Sequence, residues 1–375
     1  MTLRGRELRS RISQDGRLTL SIEMVEVPLP GDDEVVVKVE AAPINPSDMG
    51  LLLGPADLPS LVEIGTADAP ALSFTIPPAR LAGFRGRLNQ SLPVGNEGAG
   101  TVIAAGRNVR TLQGRRVGMI GTGTYADYCT APSRNVIVLP PYASAADGAA
   151  MFVNPLTALG FVETARRDGH KAIVHTAAAS NLGQMLQKIC LADKIPLINI
   201  VRTETQADIL RSIGAIHILV SGEADFRAKL TDLIEATGAT IAFDAIGGGA
   251  LGSDILQAME RAAIRQAARY DRYGSDMFKQ LYLYGALDPA PTMLQRLGFG
   301  WQWSVSGWLL FPFLRSIGVS GEDRLRKRIG DELTTTFASR YKTVIGLGET
   351  LQPSILRAFS SKSTGEKYLI DPTRG

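Results

Sequence analysis

Ile173-Val-His-Thr-Ala-Ala-Ala-Ser-Asn-Leu-Gly183 is the stretch whose reading decides the fold. A short apolar strand runs into a bend of small residues, and a helical pattern follows to Ala192. Small side chains let a backbone pass close to a ligand, and a helix N-terminus favours negative charge there. Such a bend cradles a diphosphate. The three glycine slots of a G-x-G-x-x-G fingerprint hold Ala178, Ser180 and Gly183, so the fingerprint is degraded. Locally, a plain strand-turn-helix packing joint would read the same way, and the surrounding units have to decide.

Those units repeat. Strands are predicted at 171–176, 196–201, 217–220, 240–244 and 281–284, with helices at 182–192, 205–213, 224–236 and 251–259 between them. Continuous apolar strands alternating with helices predict a parallel, doubly wound α/β sheet. That context turns the small-residue bend into an expected dinucleotide site, with Asn181 and Leu182 opening the helix beside Ala178, Ser180 and Gly183.

Two more positions follow from the sheet. The second strand ends at Val201-Arg202, where an NAD enzyme usually places an acidic residue for the ribose hydroxyls. Arg202 would attract a 2′-phosphate instead, so NADPH is the expected cofactor. The alternative leaves Arg202 as an exposed strand end and gives the ribose to Glu204. Asp244-Ala-Ile-Gly-Gly-Gly249 closes a later strand, so Gly247 either borders the cofactor or forms a turn.

Before about residue 140 the pattern is different. Segments 17–42, 100–104, 115–120 and 136–139 read as short strands bounded by Gly or Pro, consistent with 39 glycines and 20 prolines. Residues 53–92 read as an irregular insertion. A helix is expected over 323–339, another over 351–359, and a last strand over 367–370 that returns to the first domain. With 45% hydrophobic and 21% charged residues the chain is globular. A net charge of +3 is too weak to imply nucleic acid. Cys129 and Cys190 cannot build a disulfide framework, which favours a cytoplasmic setting. The apolar run 308–313 is too short to span a membrane.

The chain resembles the zinc-independent branch of the medium-chain dehydrogenase/reductase superfamily, which includes quinone oxidoreductases and 2-enoyl thioester reductases. The resemblance rests on Ala42-Pro-Ile-Asn-Pro-Ser-Asp48, Pro93-Val-Gly-Asn-Glu-Gly-Ala-Gly100, Asn154-Pro-Leu-Thr-Ala158, Ala177–Gly183, Phe243-Asp-Ala-Ile-Gly-Gly248 and Gly365-Glu-Lys-Tyr-Leu369. It implies a Rossmann domain inserted in a GroES-like β-rich domain. The expected segments are a GroES-like part at 1–145, a Rossmann part at 146–320 and a closing return at 321–375.

The resemblance also implies roles. Asn45 and Thr157 would lie at the nicotinamide end. Backbone groups of Gly285 and Ala286 would meet the carboxamide, and Gly307-Trp-Leu309 would pass nearby, with Leu309 on the cofactor. The second of these strands often forms a dimer edge in relatives, so a homodimer is expected. Relatives that bind zinc place ligands at the slots of Asn45, Asn96 and Val153–Asn154, and these residues offer neither thiolate nor imidazole. No metal is therefore expected. The Tyr that donates a proton in thioester reductases has no counterpart in Met49–Pro55, which leaves Tyr125 as the candidate donor. Asp48 reads as a brace or a base. The expected activity is hydride transfer from NADPH to a quinone or an α,β-unsaturated carbonyl, both small molecules. The alternatives are a cofactor-binding scaffold with little catalysis and, more weakly, an RNA-binding role for the Rossmann face. The 53–92 segment is expected to shape or cover the acceptor site.

Overall fold

The computed structural model describes residues 3–66, 69–360 and 367–374. Gly365 and Glu366 of the tail motif, and positions 67 and 68 of the segment 53–92, lie outside the described residues. By its contacts the chain divides into two units, 1–153 with 328–375, and 154–327.

The second unit holds six parallel strands: β1 (Ile173–His175), β2 (Leu197–Val201), β3 (His217–Val220), β4 (Ile241–Asp244), β5 (Lys279–Leu283) and β6 (Trp303–Gly307). Their order in the sheet is 3-2-1-4-5-6. That is the doubly wound Rossmann order, whose crevice lies outside the carboxyl ends of the strands at β1 and β4. Val174, Ile198, Ala242 and Leu281 are buried because helices cover both faces of the sheet. Helix Asn181–Ala192 carries its apolar residues Leu182, Met185, Leu186 and Ile189 at helical spacing and buries them.

One interaction holds the amino-terminal end of β5. Lys279 and Glu260 are 0% and 2% exposed and lie 2.7 Å apart. Ser275 donates to the same carboxylate through its N–H at 2.7 Å and its hydroxyl at 2.5 Å. The carboxylate and the ammonium are thus each satisfied, which a buried pair requires.

The first unit is β-rich. One antiparallel sheet runs 62–65, 70–75, 17–27, 3–12, 91–93. A second runs 136–138, 116–120, 97–105, 34–43, 368–370, 343–345, with 128–132 also on 34–43. Leu8, Leu18, Val35, Val37, Phe74 and Ile370 form part of their shared core. The tail does return here: Leu369 pairs with Pro43 and Ile370 with Ala42.

Several local expectations change. The segment 53–92 is not simply irregular. Val62–Gly65 and Pro70–Thr75 form a hairpin, and the latter extends the sheet along Arg17–Ser21. The helix expected at 323–339 is Leu310–Asp331, and it is interrupted at Gly318, where φ is +68°. Glycine tolerates that value and so lets two helical runs join through a kink. Leu3–Ile12 is a full strand paired with Leu18–Val27.

Candidate active site

In the second unit the bend after β1 is tight. Ala177 takes φ +49°, in the left-handed region. A Cβ at Gly183 would stand 2.1 Å from the Ala178 carbonyl oxygen, so only glycine fits. Ser180 caps the helix by accepting the Gly183 N–H at 3.2 Å. The Ala178 N–H is used inside the sheet, on Ile200 O at 3.2 Å. An anion at this bend would therefore meet the first turn of the helix that Asn181 and Leu182 open, at the positive end of its dipole. The small side chains, the missing Cβ and the helix start together fit a diphosphate.

The neighbouring strand ends complete this face. Asp244, buried at the end of β4, accepts from Thr176 Oγ1 at 2.6 Å, from Ile246 N–H at 2.9 Å and from Gly247 N–H at 3.2 Å. It ties the β1 bend to the β4 bend. Gly285 follows β5, and a Cβ there would stand 2.4 Å from Ala245 O. Gly247, Gly285 and Ala286 are thus packed backbone to backbone. Arg202, one residue past β2, is exposed, and among the described residues its backbone N–H donates to Gln206 at 2.9 Å. Glu204, the competing residue for the ribose, lies 2.6 Å from Arg211. Leu309 stands two residues past β6 and is 66% exposed. Thr157 is buried in helix Val153–Arg167.

His175 sits at the end of β1 with its Nε2 2.8 Å from the Tyr284 hydroxyl. Burial pushes its pKa down to about 3, so the imidazole is neutral.

The first unit brings Asn45 and Tyr125 together through a residue to which sequence reading gave two roles. Asp48 accepts from Tyr125 OH at 2.8 Å, from Asn45 N–H at 2.8 Å and from Asn96 N–H at 3.1 Å. Tyr125 is fully buried, its hydroxyl also 3.1 Å from Pro43 O. Burial, then the neighbouring Asp48, push the ionisation of that phenol well up. Asp48 itself is pushed by burial up to about 7, against the Asn45 and Tyr125 hydrogen bonds.

Glu97 and Lys367 belong to this cluster, though neither had been given a role. Glu97 Oε1 accepts from Asn45 Nδ2 at 2.7 Å, and its Oε2 accepts the Phe152 and Val153 N–H groups at 2.9 Å each. The Lys367 ammonium faces Glu97 and Asp48. Both residues stood inside quoted stretches, Gly95-Asn-Glu97 and Gly365–Leu369. A carboxylate among glycines at a strand start was the available signal. Among the described residues no group of three or more His, Cys, Asp and Glu could hold a metal ion. No helix of the described residues is long and apolar enough to cross a membrane.

Comparison with known proteins agrees with this architecture. Residues 31–141 match the alcohol dehydrogenase GroES-like domain. A mitochondrial enoyl-[acyl-carrier-protein] reductase of Xenopus tropicalis is 30% identical over 211 residues. That match takes in 53% of this chain and 51% of the relative, so the chain spans about half the relative's length. A Mesorhizobium loti crystal structure, provisionally assigned as an NADPH:quinone reductase, is 26% identical with a TM-score of 0.74, covering 99% of this chain and 100% of that one. The Escherichia coli quinone oxidoreductase complexed with NADPH shares the fold at 17% identity and a TM-score of 0.69, covering 99% of this chain and 100% of that one. With its GroES-like segment, its 3-2-1-4-5-6 parallel sheet and its end-to-end likeness to such structures, the chain belongs to the medium-chain dehydrogenase/reductase superfamily.

Proposed function

We propose that the chain is an NADPH-dependent oxidoreductase that reduces a quinone or an α,β-unsaturated carbonyl compound without a catalytic zinc. The observation that carries the cofactor choice is Arg202, exposed at the end of β2 while Glu204 lies against Arg211. A guanidinium there suits a 2′-phosphate, which it can grip bidentately. The names of the relatives support the acceptor class: quinone reductases on one side, enoyl reductases on the other.

When bound, NADPH supplies a hydride to an electron-poor carbon of the acceptor. The chain's own residues hold and orient. The bend from Ala178 to Gly183, with Ser180, Asn181 and Leu182, takes the diphosphate. Gly247, Gly285 and Ala286, packed backbone to backbone, offer backbone groups to the carboxamide of the nicotinamide ring in this reading. Thr157, Leu309 and Asn45 complete the nicotinamide end in this reading. The Tyr125 proton is committed to Asp48, and its ionisation is pushed well up. Solvent water therefore supplies the proton here, and Tyr125 braces Asp48. Neutral amides at 45, 96 and 154 are poor zinc ligands. The chain is also taken to pair with a second copy through the open edge of β6.

Fluorescence titration with NADPH and NADH tests the cofactor assignment. Arg202→Ala should weaken NADPH about 10- to 100-fold, the worth of one charge-assisted contact, and leave NADH within about threefold. Equal weakening of both nucleotides would overturn the assignment. NADPH consumption with a panel of quinones and enals then separates the acceptors. Binding without any turnover would favour the scaffold reading instead.

A further inference from the structure

We propose that Lys367 is a positioning residue for Asn45, acting through Glu97, and so sets which hydrogen-bonding end of the Asn45 amide is offered to the cofactor. The inference rests on the reading of Asn45 as a cofactor-binding residue. The backbone supplies the first part of the case. Leu369 pairs with Pro43 and Ile370 with Ala42, and the Ile44 N–H donates to Tyr368 O at 3.0 Å. Extended by two places, that antiparallel register sets Lys367 opposite Asn45. Lys367 O in turn accepts the Lys342 N–H at 2.8 Å, which fixes the backbone at the lysine itself.

Hydrogen-bond arithmetic supplies the second part. Glu97 accepts three hydrogen bonds, from Asn45 Nδ2, Phe152 N–H and Val153 N–H. All three partners are donors, so a proton on Glu97 would displace one of them. A buried carboxylate kept ionised needs a cation. The facing cation is Lys367, whose Nζ is buried with no hydrogen-bond partner among the described residues. Burial pushes its pKa down, and the facing Glu97 and Asp48 carboxylates oppose that and favour the ammonium. The charged and titratable groups around it are Glu97, Asp48 and Tyr341, whose ring centre lies 5.8 Å from the nitrogen, and Tyr125 stands behind Asp48, to which it donates. No other cation faces this cluster among the described residues.

The consequence falls on Asn45. An ionised Glu97 takes the Nδ2 end, and the buried Oδ1 is left without a partner among the described residues. The open end of Asn45 is thus an acceptor, suited to a hydroxyl or amide N–H of the ligand. If the Lys367 charge is removed, Glu97 takes up a proton and donates to Asn45. The amide then turns over and offers Nδ2 in place of Oδ1, the wrong sign for a ligand donor.

The test uses the full chain with NADPH as probe. Lys367→Met should weaken NADPH binding about tenfold by fluorescence, and raise KM for NADPH similarly with KM for the acceptor within about twofold. Lys367→Arg, which keeps the charge, should retain binding within about threefold of the unmodified chain. Lys367→Met can fail to fold because it strands a buried carboxylate, so a second variant, Glu97→Gln with Lys367→Met, removes both charges together. In it the side-chain carbonyl of the introduced glutamine accepts the backbone N–H groups and its amide donates to Asn45, which reverses Asn45 in a neutral site. That variant should melt near the unmodified chain and still bind NADPH about tenfold more weakly. Unaltered NADPH binding in whichever of these two variants folds would overturn the inference and leave the proposed function standing. Failure of the unmodified chain to bind NADPH would overturn both.

Discussion

Among the described residues Asp48 collects three donors and no other cation than Lys367, and that imbalance has a measurable sign. Burial raises its folded pKa from the ordinary carboxylate range to about 7. The native chain therefore holds this proton more tightly than the unfolded chain. The associated stability is full below about pH 4, near the unfolded pKa, and is lost as pH rises through 7. Across that window Asp48 contributes a fall of at most about 1.4 kcal/mol per pH unit. Urea midpoints at pH 5 and pH 7.5 read it: Asp48→Asn should flatten the difference between them relative to the unmodified chain. An equal drop in both proteins would show that Asp48 does not titrate in this range. Asn45 and Tyr125 were legible in the sequence as candidates because they sit in short, recognisable strings. Their partners were not. Glu97 lies 52 residues from Asn45, and its two backbone partners lie 55 and 56 residues from it. Local pattern carries no information about contacts at that separation.

β6 is an element whose outer side has no ladder partner among the described residues, since it ends the sheet next to β5. Its sequence, Trp303-Ser-Val-Ser-Gly307, has neither a charge nor a proline to guard that edge. Exposed Trp301 and Leu309, at 57% and 66%, flank it in the chain. Pairing with the same strand of a second copy would satisfy the open backbone groups. Sedimentation equilibrium should give twice the 40.2 kDa chain mass, and exchange protection of amides 303–307 should fall on dilution. A species of single-chain mass at all concentrations would refute the pairing. Elements such as β1, β2 and β4 were readable because strands buried on both faces are continuous apolar runs. Val62–Gly65 was unreadable for the converse reason: all four of its residues are exposed, so burial never selected an alternating pattern. Pro70–Thr75 opens with a proline, and its burial begins two residues later. Such a strand takes its conformation from the partner along Arg17–Ser21 and not from its own composition.

At the scale of the whole molecule the chain leaves the first unit at residue 153 and comes back to it at 328. The second unit, 154–327, is one continuous segment, whereas the first is closed only by its tail. The tail supplies two strands, Thr343–Ile345 and Tyr368–Ile370, and buries Leu347, Leu351, Leu356 and Phe359 in the first unit's core. Each such side chain is worth about 1.5–3 kcal/mol of burial. Together they match the whole net stability of a domain, about 5–15 kcal/mol. A chain ending at Lys327 should therefore lose the first unit and keep the second. Hydrogen exchange separates the two: peptides over Val35–Val39 should exchange as an unfolded chain does, while those over Ile173–Val174 stay protected. Both strands lie at the centre of their own sheets, so the comparison does not depend on fraying at an edge. If Val35–Val39 stayed protected without the tail, the first 153 residues would hold their own core, and the return of the chain would serve the Asn45 cluster through Lys367 instead of the fold.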